Sequence, residues 1–193
     1  MITLKSLKPV TVLHRRNNPV CVAVDGKKVQ IYSGYFVLEV ERSDVATEVV
    51  EKHEALRLNL RTKKDPGGNL DTWEEEYSGK WPEEYDYDWR RVYLGATQAE
   101  PTSMLRQYVQ IPVPSSKEDD QEETRELETV KFTSTISGEA RYVFGDFINF
   151  FKDQLLEPKF MIHSGQHAGV DRPLSIWDGK TLVGIVAPLD VKG

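Results

Sequence analysis

Phe144-Gly145-Asp146-Phe147-Ile148-Asn149-Phe150-Phe151-Lys152-Asp153-Gln154-Leu155 is the stretch on which the reading of this chain turns. Phe144, Phe147, Ile148, Phe151 and Leu155 recur at three- and four-residue steps. A helix therefore gathers them on one face and turns Asp146, Asn149, Lys152 and Asp153 to the other. Three phenylalanines on one face need a sheet or a second helix to cover them. Pro158 stops the helix. Beyond it, residues 159–163 read as a short strand and 164–173 as a break. Leu174-Ser175-Ile176-Trp177, the turn pair Asp178-Gly179 and residues 181–186 then read as a hairpin. The last third of the chain is thus helix, strand, hairpin.

On the N-terminal side of this helix, residues 127–136 read as a strand leading into it. The acidic run Glu118-Asp119-Asp120-Gln121-Glu122-Glu123 follows Ile111-Pro112-Val113-Pro114, the composition of a loop or hairpin tip. Residues 71–93 concentrate Trp73, Tyr77, Trp81, Tyr85, Tyr87, Trp89 and Tyr93 among acids. The acids would repel a phosphate backbone, so the stretch reads as a linker whose rings pack on both sides. Further back, residues 56–61 alternate as a strand, and 44–55 read as a helix capped by Ser43 or Asp44. Residues 20–24, the turn Asp25-Gly26, 29–32 and 35–40 form a three-strand meander. Residues 2–4 read as a first strand. Pro9 belongs in a first helical turn, which places a helix from about Lys8 to before Pro19.

At 193 residues and 39% hydrophobic content, the chain is long enough for one large domain or two small ones. No apolar run approaches the ~20 residues that cross a bilayer, and the N-terminus has no apolar core like that of a signal peptide, so a cytoplasmic protein is expected. The one cysteine, Cys21, lies in an apolar run, which excludes an intrachain disulfide and predicts a buried thiol. The net charge of -6 is unevenly spread: residues 1–64 hold 12 Lys and Arg against 7 Asp and Glu, and residues 65–139 hold 7 against 18. The first third is the part suited to a polyanion.

Ala140-Arg141-Tyr142-Val143-Phe144, read as opening a helix of about four turns, is followed by the Pro173-Leu174-Ser175-Ile176 strand and the closing Leu182-Val183-Gly184-Ile185-Val186-Ala187-Pro188-Leu189. This pattern resembles the C-terminal domain of bacterial DNA polymerase sliding clamps, which have an Arg-Tyr-Leu-Leu helix start and a Val-Met-Pro-Met-Arg-Leu tail. The resemblance covers residues 128–191. Gly79-Lys80-Trp81-Pro82-Glu83-Glu84-Tyr85 is similar to the Gly-x-Phe-Pro-x-Tyr linker between clamp domains.

The resemblance implies an α+β, DNA-clamp-like fold of two abbreviated domains, each with helices packed on an antiparallel sheet. These are residues 1–80, a linker at 81–95, and residues 96–193. It further implies no enzyme and no cofactor: a phage-encoded or divergent processivity factor encircling duplex DNA as a homo-oligomer. Bacterial clamps carry three domains per chain, so this chain is short for the family. Lys5, Lys8, Arg15 and Arg16 would meet phosphates without reading bases. Val186, Ala187, Pro188, Leu189, Asp190 and Val191 would take the place of the tail segment beside which polymerase or clamp-loader peptides bind. Ala187 is smaller than its counterpart and Asp190 reverses a charge, so the groove should be shallower and select a different peptide. The alternative is a clamp-derived protein-binding or replication-regulating module that forms no ring.

Other chemistry has little motif support. His163, His167 and Asp171 recur at four-residue steps and would share a face on a helix, the spacing of a metal-dependent hydrolase site, but Gly165 and Gly169 make their context loop-like. No phosphate-binding glycine loop, nucleophile elbow or His-Glu-x-x-His motif occurs, so no residue is singled out as nucleophile or general base.

Overall fold

The computed structural model of the chain describes residues 1–13, 16–17, 20–56, 59–63, 72–75, 98–113, 123–164, 173–189 and 191. In chain order these form α1 (Leu4–Thr11), β1 (Val12–Leu13), β2 (Arg16–Asn17), β3 (Val20–Asp25), β4 (Lys28–Tyr32), β5 (Phe36–Glu41), α2 (Thr47–Leu56), β6 (Asn59–Lys63) and β7 (Thr72–Glu75). The second half gives β8 (Gln98–Val113), β9 (Glu123–Ser134), β10 (Ala140–Phe144), α3 (Gly145–Gln154), β11 (Pro158–Ser164), β12 (Leu174–Asp178) and β13 (Thr181–Val186). Eleven strands join in the order β10-β9-β8-β11-β12-β13-β5-β4-β3-β6-β7, while β1 and β2 pair only with each other. The pairings are antiparallel.

This corrects the expected two domains, each with helices on its own sheet. The sheet runs through both halves, because β13 pairs with β5 at Gly184↔Leu38, Ile185↔Val37 and Val186↔Phe36. One apolar core follows, holding Ile2, Leu7, Val22 and Phe36 from the first half with Phe132, Phe147, Phe151 and Ile176 from the second. The expected linker at 81–95 lies outside the described residues.

Each half nevertheless repeats one plan, a helix followed by a three-strand meander: α1 then β3-β4-β5, and α3 then β11-β12-β13. The last strands of the two meanders pair antiparallel, and α1 packs against α3.

The apolar face of α3 is the one its spacing predicts. Phe147, Ile148 and Phe151 are fully buried and Leu155 nearly so, while Asp146, Lys152 and Asp153 are exposed. Its rings meet Phe36 of β5 with centroids 5.3 Å from Phe147 and 5.5 Å from Phe151, and Phe151 lies 6.2 Å from Phe160 of β11. Edge-to-face and tilted contacts of this kind add to area burial.

Three boundaries differ from expectation. Residues 140–144 are strand, not the first turn of the helix: they pair with residues 129–133 of β9, and the helix starts at Gly145. α1 starts at Leu4 rather than near Lys8, because Thr3 and Ser6 cap it reciprocally. The Thr3 amide donates to Ser6 Oγ (2.9 Å) and the Ser6 amide to Thr3 Oγ1 (3.1 Å). Pro9 then lies inside the helix, beyond the first turn in which a missing N–H goes unnoticed. α2 starts at Thr47 because Val45 forms a parallel bridge with Ile2, with the Ile2 amide bonded to Asp44 O (2.7 Å) and the Ala46 amide to Ile2 O (2.8 Å). The hairpin turns fall as read, with left-handed glycines at Gly26 (φ 56°) and Gly179 (φ 59°).

Candidate functional site

Of the four cations expected to face DNA, two are placed by their side chains. Lys5 is exposed and Lys8 half-buried, both on α1. Arg15 lies outside the described residues, and Arg16 is placed only by its backbone in β2. Among the described side chains, the neighbouring helices do not extend the positive charge. On α3, Lys152 stands with Asp146 and Asp153, and on α2 Glu48 and Glu51 are exposed. Glu48 also accepts a bond from the Leu4 amide (3.4 Å), a carboxylate held at the positive end of α1.

At the start of α3, a small polar cluster meets the β8–β9 hairpin. Arg106 donates through one nitrogen to Glu128 Oε1 (2.5 Å) and through another to Asn149 Oδ1 (2.5 Å). Partial burial, and then the charge of Glu128, raise the Asp146 pKa above its ordinary value. Gly145 makes room for the cluster, since a Cβ there would come within 3.3 Å of the Glu128 side chain.

The tail is built into the fold. Val186 is fully buried at the end of β13. The Ala187 amide then donates to Tyr35 O (2.7 Å) and the Leu189 amide to Tyr142 O (2.7 Å), and the Leu189 side chain packs against the core. Pro188 and Val191 are half-buried, and Asp190 lies outside the described residues. Residues 187–189 therefore run from the β4–β5 turn to the outer edge of β10, the end strand of the sheet.

His163 does not sit on a helix with His167 and Asp171; it is a residue of β11, and the other two lie outside the described residues. Its Nε2 is 2.6 Å from Ser175 Oγ, which also accepts the Trp177 indole N–H (2.9 Å) and lies 3.4 Å from Met161 O. An indole nitrogen can only donate, so the single Ser175 proton has two acceptors to choose from. It goes to His163 Nε2 when that nitrogen is bare, and to Met161 O when Nε2 carries the ring proton and donates to Ser175. A serine beside a histidine is half of a nucleophilic dyad, yet Ser175 is 0% exposed, so its oxygen is closed to a substrate. The trio serves instead to tie β11 to β12.

Two features were not anticipated. Glu100 is buried and accepts from the hydroxyls of Ser134 and Ser137 (both 2.5 Å), which fixes the β9–β10 turn to β8. A buried acid needs such donors, and nothing in the local sequence names them. Where β8 parts from β11 at Thr102, a cleft of about 300 Å³ opens, lined by Pro101, Thr102, Met104, Pro158, Phe160 and Met161. Among the described residues, no three His, Cys, Asp or Glu side chains are placed to hold a metal ion, and no helix is long and apolar enough to cross a membrane. No protein-family model, curated protein or solved structure matches the chain.

Proposed function

We propose that the protein is a non-catalytic processivity factor of the sliding-clamp kind, one subunit of a homo-oligomer that holds duplex DNA without reading its sequence. The observation that carries this reading is the pairing of the two helix–meander units, which sets α1 beside α3 in one helical layer. Helices lying across a duplex can offer cations to several phosphates while the base edges stay out of reach. Lys5 and Lys8 stand on that layer.

The test is retention on DNA. The protein loaded on closed circular duplex should stay bound, and should slide off once the circle is linearised. Lys5→Gln with Lys8→Gln should lower the slope of log affinity against log salt by about 1.8, at about 0.9 per phosphate contact. Retention that is indifferent to linearisation sinks the ring, and an unchanged slope moves the contact elsewhere.

One observation favours a second reading, a binding module that forms no ring. The described side chains of the three helices expose or half-expose Lys5, Lys8 and Lys152 against Glu48, Glu51, Asp146 and Asp153, which gives no net positive field. This reading expects a monomer throughout the micromolar range in sedimentation, and no salt-dependent retention on DNA.

A further inference from the structure

We propose that residues 187–189 are a detachable strap. The surface beneath them, the outer edge of β10 with the Tyr35 turn, is then a docking site for an extended peptide that has the same small-Pro-apolar pattern. This inference does not rest on the reading as a processivity factor.

The attachment is slight compared with what precedes it. β13 is laddered on both sides, to β12 and to β5, and ends at the fully buried Val186. Among the described residues, the strap past Val186 contributes two main-chain bonds, from Ala187 to Tyr35 O and from Leu189 to Tyr142 O, and Pro188 between them has no N–H to add. Its residues are half-buried rather than buried. A segment with few bonds at the margin of a sheet opens at lower free energy than the ladder beside it.

What the strap covers is a peptide site by construction. β10 ends the eleven-stranded order, with β9 on one side and the Leu189 amide on the other. An uncovered end strand offers its carbonyls to any extended chain. Beside it, the Tyr35 ring lies 5.8 Å from Phe144 and 5.9 Å from Phe147, and is 39% exposed. The Leu189 side chain shows that an apolar group fits against the core there. No charge occurs in Leu182-Val183-Gly184-Ile185-Val186-Ala187-Pro188-Leu189, so the site selects by backbone bonds and apolar fit. The chain's own tail is thus the occupant of this groove rather than its wall, and a partner peptide must compete with it.

The test has two parts on the full chain. In native-state hydrogen exchange, the Ala187 and Leu189 amides should exchange at least about 100-fold faster than those of Gly184 and Val186. In the second part, a synthetic heptapeptide copying residues 187–193 is titrated while the Tyr35 and Tyr142 amide shifts are followed. Leu189→Ala weakens the strap and should bind the peptide at least tenfold more tightly than the unaltered protein. The proposal is overturned if the Leu189 amide exchanges only as slowly as Val186. It is overturned equally if the folded variant binds no peptide or binds no better than the unaltered chain. A variant that unfolds shows the segment to be indispensable, and hence no strap.

Discussion

Gly184 sits at the seam that makes two halves into one sheet, and among the described glycines it is the one where a single methyl group should do most damage. A Cβ there would lie 2.3 Å from Val37 O and 3.2 Å from Leu38 Cα, whereas Cβ contacts below 3.0 Å are essentially never found. To restore 3.0 Å the β5 and β13 backbones must part by about 0.7 Å, the difference between the two distances, which carries a bond of ordinary ~2.9 Å length out of hydrogen-bonding range. The pairing at stake spans only three residue pairs. Overpacking of this kind costs about 1–3 kcal/mol, and each ladder bond lost adds about 0.5–1.5 kcal/mol. Gly184→Ala should therefore cost about 3 kcal/mol, and at about 2–4 °C per kcal/mol for a chain of this size the melting temperature should fall by about 6–12 °C. Urea unfolding and a thermal scan measure this directly. Gly34→Ala is the control, since a Cβ at Gly34 meets nothing within 4 Å and its backbone is not left-handed; it should be neutral to within about 0.5 kcal/mol. Equal effects of the two substitutions would refute the close approach at the seam.

Phe151→Ala empties a fully buried site among Phe36, Phe150 and Phe160 and should cost about 3–5 kcal/mol in urea unfolding. Ser175→Ala leaves the Trp177 indole and the His163 ring short of their shared partner, a loss of about 1–3 kcal/mol in the same assay; a neutral result would mean that the trio does not hold β11 to β12. Because burial and Glu128 raise the Asp146 pKa in the folded chain, its protonated form favours folding below the ordinary value near 3.8, and that advantage is lost as pH rises through the raised value. Asp146→Asn should accordingly be the more stable protein at pH 7 and lose its lead at pH 3. A less stable variant at pH 7 would show that the start of α3 holds the carboxylate more strongly than Glu128 repels it.

The parts of the fold legible in the sequence are those set by neighbours a few residues apart. The α3 face is written in steps of three and four, and the β3–β4 and β12–β13 turns in Asp-Gly pairs whose glycines take positive φ. The β5–β13 seam joins residues 146 positions apart, Leu38 and Gly184, and alternation along a strand says which face is apolar but not which strand lies alongside. The same gap explains residues 140–144. Val143 and Phe144 continue the helical spacing of α3, yet pairing with β9 claims them, and pairing is settled by a distant segment. Two features of the candidate site share this origin. The four-residue spacing of His163 has meaning only on a helix, whereas on β11 the histidine is governed by Ser175, a residue of the next strand. The course of the apolar tail is set by two carbonyls, on Tyr35 and Tyr142, that belong to opposite halves of the chain. The electrostatics follow the same logic: the positive first third places Lys5 and Lys8 on α1, but folding packs α1 against α3, which exposes Asp146 and Asp153, and sets the Glu48 carboxylate of α2 at the Leu4 amide. Charge counted along the chain is thus redistributed by the long-range pairing that joins the two halves, and the polyanion test belongs on the assembled helical layer rather than on the first third alone.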